Sequence, residues 1–167
     1  MEIHFVGAAG TVTGSKFLMV SGPTKVLIDC GLYQGLKDLR LKNWGDLPFV
    51  PEELTAIVLT HGHIDHSGYV PRLIKQGFSG SVYSTGPTRA LCEVLLPDCG
   101  RINEEDAFYA NKAGFSKHKP ALPIYTEADA RQALKAFRTV APRRPFEIGE
   151  MTFELIEVGH ILGACSV

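Results

Sequence analysis

Directly after the apolar run Ala56-Ile57-Val58-Leu59 the chain reads Thr60-His61-Gly62-His63-Ile64-Asp65-His66, so three of its six histidines and one carboxylate fall within six residues. Four consecutive apolar residues predict a strand covered on both faces, and the histidines then sit at its mouth. In extended backbone, side chains two apart point to the same side, so His61 and His63 can converge on one ion. The tighter turn after them aims Asp65 and His66 across the same pocket, towards a second ion. Imidazole with carboxylate is a ligand set that suits zinc, with manganese or iron as substitutes. A polar loop whose histidines cap the next helix is the plainer alternative. Four ligand-type residues packed this closely, between a strand and a helix, favour the metal site.

The rest of the chain bounds what such a site can belong to. At 167 residues the length suits one domain with a real core and no need of disulfides. A formal charge of −1 argues against a basic-tail protein, though a local basic groove stays open. No apolar run reaches the ~18 residues of a membrane span, and Met1-Glu2-Ile3-His4 lacks the layout of a signal peptide. Cys30, Cys92, Cys99 and Cys165 form no C-x-x-C pair, which predicts free thiols in a reducing, cytoplasmic setting.

In chain order, Met1 to Gly7, Ser15 to Val20 and Lys25 to Cys30 predict a β-meander, with a turn at Ser21-Gly22-Pro23-Thr24. Asp29 closes its third strand. Beside the histidine cluster it reads as a carboxylate behind the ligands, orienting a histidine or accepting backbone N–H groups of the His-x-His loop. Leu36 to Asp46, carrying the sole tryptophan, Trp44, predicts a short helix or an irregular excursion. Tyr69, Val70, Leu73 and Ile74 share a helical face that Gly77 ends. A strand over Ser81 to Ser84 leads to a helix opening at Thr85-Gly86-Pro87, predicted to break near Pro97 and resume over Arg101 to Ala113. Thr126 and Asp129 predict a capping box and a helix ending near Phe137. Met151 to Val158 predicts a strand, and His160 follows it between Gly159 and Gly163, a candidate third ligand for the first ion. Two basic stretches, Lys117-His118-Lys119 and Arg138 with Arg143-Arg144, are either solvated surface or phosphate contacts. Strands at both ends with helices between them predict an α/β sandwich layer. The glycines from Gly7 to Gly14 match neither phosphate-loop spacing.

Asp29 at a strand end, His61-x-His63-x-Asp65-His66 and then His160 resemble, in order and context, the metallo-β-lactamase superfamily. Four further segments are similar to its β-CASP branch of RNA-processing nucleases: Gly7 to Ser15, Asp29-Cys30-Gly31-Leu32-Tyr33-Gln34-Gly35, Leu96-Pro97-Asp98 through Glu104-Glu105-Asp106, and Gly159-His160-Ile161-Leu162-Gly163-Ala164. The resemblance implies the N-terminal portion of an αβ/βα sandwich, with His61, His63 and His160 on one zinc and Asp65 and His66 on a second. Asp29 would be the structural carboxylate, and Ser15 scaffold. It also implies RNA as substrate, cleaved by a hydroxide bridging two zinc ions, and a possible homodimer. In the family the chain continues with a bridging aspartate, a β-CASP cap domain and a final histidine. Residues 1–167 are therefore expected to be an incomplete metallo-β-lactamase domain, whose second site lacks ligands. Two rivals share the motif: a small-molecule hydrolase (a thioesterase of the glyoxalase II type or a lactonase) and a non-catalytic RNA-binding subunit.

Overall fold

The computed structural model describes residues 1–114, 116 and 118–167. Strands β1 (Glu2–Gly7), β2 (Lys16–Ser21) and β3 (Thr24–Ile28) form the antiparallel meander. Gly22, at φ +50°, makes the tight turn between the last two. Strands β4 (Ala56–Val58), β5 (Ser81–Ser84) and β6 (Phe137–Thr139) then add in parallel, giving a six-stranded sheet in the order β1-β2-β3-β4-β5-β6. Parallel neighbours need crossovers, and the helices of the chain supply them. They are α1 (Lys37–Leu41) before β4, α2 (Ile64–Ser67) and α3 (Val70–Lys75) before β5, and α4 (Gly86–Ala113) and α5 (Glu127–Ala133) before β6.

The sheet is covered on both faces. Leu27, Ile57, Val82 and Phe137 pack with Tyr69, Val70, Leu73, Cys92, Leu96 and Ala130 on the helical side. Val26, Ile28, Ala56 and Val58 pack with Ile148, Met151, Phe153 and Leu155 on the other. The second layer is a hairpin of β7 (Phe146–Ile148) and β8 (Met151–Phe153) joined through Gly149 and Glu150. Two-sided cover explains why β4 is an unbroken apolar run, and side chains the size of Ile57 and Val58 each contribute about 1.5–3 kcal/mol by leaving water. The architecture is the α/β sandwich layer that the sequence predicts.

Five elements differ from that expectation. Helix α4 runs unbroken for 28 residues through Pro97, from its Thr85 N-cap to Gly114 at φ +68°. Proline in a helix interior costs about 3 kcal/mol, but Leu96, Pro97 and Gly100 are buried, and packing outweighs the missing N–H. Gly100 brings α4 close to α5: a Cβ there would lie 2.7 Å from backbone atoms of Thr126 and Glu127. Gly100→Ala should therefore lower stability by about 1–3 kcal/mol, read as a lower denaturation midpoint with an unchanged m-value.

Helix α5 begins at the predicted capping box, with Thr126 and Asp129 bonding each other's backbone N–H, but it ends at Ala133. A 3-10 turn covers Leu134–Ala136, and Phe137, 1% exposed, opens β6 by pairing with Val82. Three residues are too few to show a strand period, so β6 was hidden, as was β7. The predicted strand from Met151 to Val158 is split. After β8, Leu155 turns into the core, and β9 (Ile156–Glu157) pairs instead with β10 (Cys165–Ser166). All four cysteines are free. Among the described residues no helix is long and apolar enough to cross a membrane.

Candidate metal centre

The histidine cluster sits where β3 and β4 end side by side. Asp29 directly follows β3, and its N–H donates to the Val58 carbonyl at 2.9 Å. Its backbone is left-handed, φ +58°, a conformation that Asp tolerates better than most residues. That bend turns the carboxylate under the next loop, where it is only 2% exposed. Oδ1 accepts the Thr60 N–H at 2.8 Å and the Thr60 hydroxyl at 2.9 Å. Oδ2 lies 2.6 Å from His66 Nδ1 and accepts the Ser15 hydroxyl at 3.2 Å. Asp29 thus contacts both a histidine and the backbone of the His-x-His loop.

These bonds set the histidine tautomers. A carboxylate is acceptor-only, so Nδ1 of His66 carries a proton, and in the neutral ring Nε2 keeps its lone pair. Thr60 Oγ1 has one proton to give and gives it to Asp29. It must then accept from His61 Nδ1, 2.9 Å away, which leaves His61 Nε2 free as an acceptor or ligand. Burial is the main cause that lowers the His61 pKa to about 4, and the neighbouring charge on His66 adds to it. His61 is therefore neutral at pH 7. Burial alone would lower His66 too, but the hydrogen bond and charge of Asp29, with the charge of Asp65, outweigh it and raise the pKa.

His160 arrives from the other end of the chain. The loop between β9 and β10 is closed by Val158 N–H on the Ala164 carbonyl and anchored by Cys165 N–H on the Thr60 carbonyl, at 3.0 and 2.9 Å. Its Gly163 carbonyl accepts the hydroxyls of Thr85 and Thr88 at 2.8 and 3.0 Å, at the start of α4. Gly163 has φ +84°, and a Cβ would stand 2.7 Å from Thr85 Oγ1. Gly163→Ala should displace His160 and weaken metal binding about 10- to 100-fold, the usual loss when an outer support goes. Competition with a chromophoric chelator measures it.

The result is three convergent imidazoles. His61 Nε2 and His63 Nδ1 are 3.1 Å apart, His160 Nε2 and His63 Nδ1 are 3.3 Å apart, and all three nitrogens lie within 4.8 Å of one another. Zn–N bonds of 2.0–2.1 Å in a tetrahedron require ligand separations of about 3.3 Å, so the donor set fits zinc. Exposure grades from buried His61 to exposed His160, which leaves the cluster open on the His160 side. Asp65 and His66 form a separate pair, Oδ2 to Nε2 at 3.7 Å, with the His66 ring 4.0 Å from that of His61. The structure thus brings all five sequence-predicted ligand residues together as a triad and an adjoining pair. Reasoning from the sequence missed Thr60, Thr85 and Thr88, the hydroxyls that hold the loops. Thr85 had a signal as a helix start; Thr60 had only its place before His61.

The basic stretches contribute differently. The Arg138 guanidinium donates to the carbonyls of Lys135 and Phe137, and Arg143 lies 3.8 Å from Glu157. Lys117 lies outside the described residues.

A mixed sheet ending in this histidine cluster is the hallmark of a known class, and the comparisons agree. The family model described as the metallo-beta-lactamase superfamily matches residues 10–95, and the chain belongs to that superfamily. Among individual relatives, Ribonuclease TTHA0252 of Thermus thermophilus is 32% identical over 100% of this chain and 34% of its own length. Transcription termination factor FttA of Methanocaldococcus jannaschii is 32% identical over 98% of this chain and 24% of its own. Integrator complex subunit 11 of Danio rerio is 25% identical over 100% and 27%. The chain therefore spans about a third or less of the length of these relatives. Among solved structures, the subclass B3 metallo-beta-lactamase MEM-A1, from a soil metagenome library, superposes with a TM-score of 0.57 at 19% identity, covering 98% of this chain and 52% of its own. The family match stops short of His160, which lies within the span that the relatives match.

Proposed function

We propose that this chain is the front portion of a β-CASP ribonuclease, a zinc-dependent enzyme that hydrolyses RNA phosphodiester bonds. The observation that carries the reading is the convergence of His61, His63 and His160 beside the Asp65–His66 pair. The names of the relatives matched along the whole chain support RNA as the substrate and the β-CASP branch as the setting. His61, His63 and His160 would hold one zinc, and Asp65 and His66 would belong to a second. Bound zinc supplies Lewis-acid charge for the phosphodiester and acidifies water, so no serine or cysteine nucleophile is needed.

The chain's own residues do the positioning. Asp29 keeps the proton on His66 Nδ1, and Thr60 keeps it on His61 Nδ1, so that both Nε2 atoms point their lone pairs outward. Asp65, half-buried, is the carboxylate placed to accept a proton near the reacting phosphate. In this reading residues 1–167 are one incomplete domain of a cytoplasmic protein, and homodimerisation is part of the proposal.

The test uses the full-length protein with end-labelled RNA, zinc or a chelator, and a thioester in parallel. Metal-dependent RNA cleavage is the expected result. Thioester turnover without RNA cleavage would instead favour a small-molecule hydrolase, and salt-sensitive RNA binding without cleavage a non-catalytic subunit.

A further inference from the structure

A cleft of about 540 Å³ opens between the segment that follows β3 and the middle of α4. Its lining includes Tyr33, Arg40 and Trp44 from the first, Asn103 and Asp106 from the second, and Ile64. Ile64 stands between His63 and Asp65 in sequence, so the cleft adjoins the metal loop itself. The size falls within the range of small-ligand sites, which combine apolar walls with a few polar groups.

The polar groups divide into those already used and those left over. Asn43 is used, because its amide accepts the Tyr33 N–H at 2.9 Å and donates to the Tyr33 carbonyl at 2.8 Å. It braces the wall and recognises nothing. Asn103 gives its Nδ2 to the Cys99 carbonyl at 2.7 Å, which leaves Oδ1. The exposed Arg40 and Asp106 side chains make no ion pair among the described residues. Trp44 remains 45% exposed although the Arg72 guanidinium lies 5.6 Å from its ring, and Lys42 Nζ is 5.4 Å from the Tyr33 ring. A single half-exposed tryptophan is unremarkable by itself. An indole, the Arg40 guanidinium and a few acceptors around one concave space are the parts of a stacking site for single-stranded nucleic acid.

We propose that this cleft holds one nucleotide of a single-stranded RNA, next to the phosphate presented to the metal centre. The base stacks on Trp44 and its edge donates to Asn103 Oδ1 and Asp106, while Arg40 neutralises a backbone phosphate. The proposal rests on the nuclease reading for its ligand, and it names residues that reading does not use.

Trp44 is the only tryptophan in these 167 residues, and the difference in emission between the wild-type protein and Trp44→Phe isolates its signal. The full-length protein is titrated with a five-nucleotide RNA in chelator, following that Trp44 fluorescence and, with labelled RNA, anisotropy. Saturable quenching is expected. Trp44→Ala should weaken binding about 5- to 150-fold, the range for losing one stacked base. Arg40→Glu, at an exposed position that the fold does not depend on, should lower the salt slope by about 0.7, one phosphate's worth on a single strand. RNA binding with unchanged emission and a wild-type salt slope in Arg40→Glu would overturn the cleft while leaving the nuclease reading intact. Quenching in a protein that never cleaves RNA with metal supports the cleft and removes the nuclease reading. No binding by either readout overturns the cleft, and the nuclease reading then stands or falls on cleavage with metal.

Discussion

Replacing His63 by alanine in the full-length protein should abolish metal binding and, on the nuclease reading proposed above, reduce RNA hydrolysis to the level of the chelated enzyme. His63 is the shared member of the triad: its Nδ1 lies 3.1 Å from His61 Nε2 and 3.3 Å from His160 Nε2. Without it, only the nitrogens of His61 and His160 remain, two donors where the site offers three. The loss of affinity should exceed the roughly 10- to 100-fold that follows removal of an outer support. The fold should survive. The His63 side chain is half-buried, and although the residue precedes α2 it makes no side-chain cap, so the metal-free stability should move by less than about 0.5 kcal/mol. Metal content by mass spectrometry and a denaturation curve in chelator separate the two effects. Full metal content in the variant would show that the triad is not the site.

Changing Asp29 should have the opposite balance, with a large effect on the fold as well as on the metal. Its carboxylate serves the Thr60 N–H, the Thr60 hydroxyl, the Ser15 hydroxyl and His66 Nδ1 in a place only 2% exposed. Asp29→Ala leaves those donors without an acceptor, at about 1–3 kcal/mol for each buried one. Against a total stability of about 5–15 kcal/mol that is severe. Asp29→Asn is the sharper probe. Its oxygen can face Thr60 or His66 but not both, and its NH₂ then meets a donor. If the amide donates to His66 Nδ1, the proton moves to Nε2, and that nitrogen ceases to be a ligand. Asp29→Asn should therefore stay folded and lose about 10- to 100-fold in metal affinity. A destabilised Asp29→Ala whose Asp29→Asn counterpart binds metal normally would reduce Asp29 to a purely structural group.

Much of this was legible in the sequence because it is written in short-range patterns. The three opening strands alternate or run apolar between glycine turns, the capping box at Thr126 and Asp129 is a four-residue signal, and His61, His63, Asp65 and His66 are neighbours in the chain. His160 was accessible by its glycine flanks and its place after a strand. What the sequence hid depends on contacts between distant segments. Pro97 reads as a break until Gly100 is seen against the backbone at Thr126. β6 is three residues that become a strand only by pairing with Val82, Tyr83 and Ser84 of β5. Leu155 splits an apparent strand because the core takes its side chain. Thr60 looks like one more polar loop residue until its hydroxyl is found between Asp29 and His61. The cleft at Trp44 joins residues some sixty positions apart, and no local pattern carries it.

Anomalous diffraction at the zinc edge, from crystals grown with zinc, tests the central claim most directly. The account predicts a peak within bonding distance of His61 Nε2, His63 Nδ1 and His160 Nε2. Zinc bound elsewhere, or no peak among those three nitrogens while the protein still cleaves RNA in the presence of metal, would contradict it.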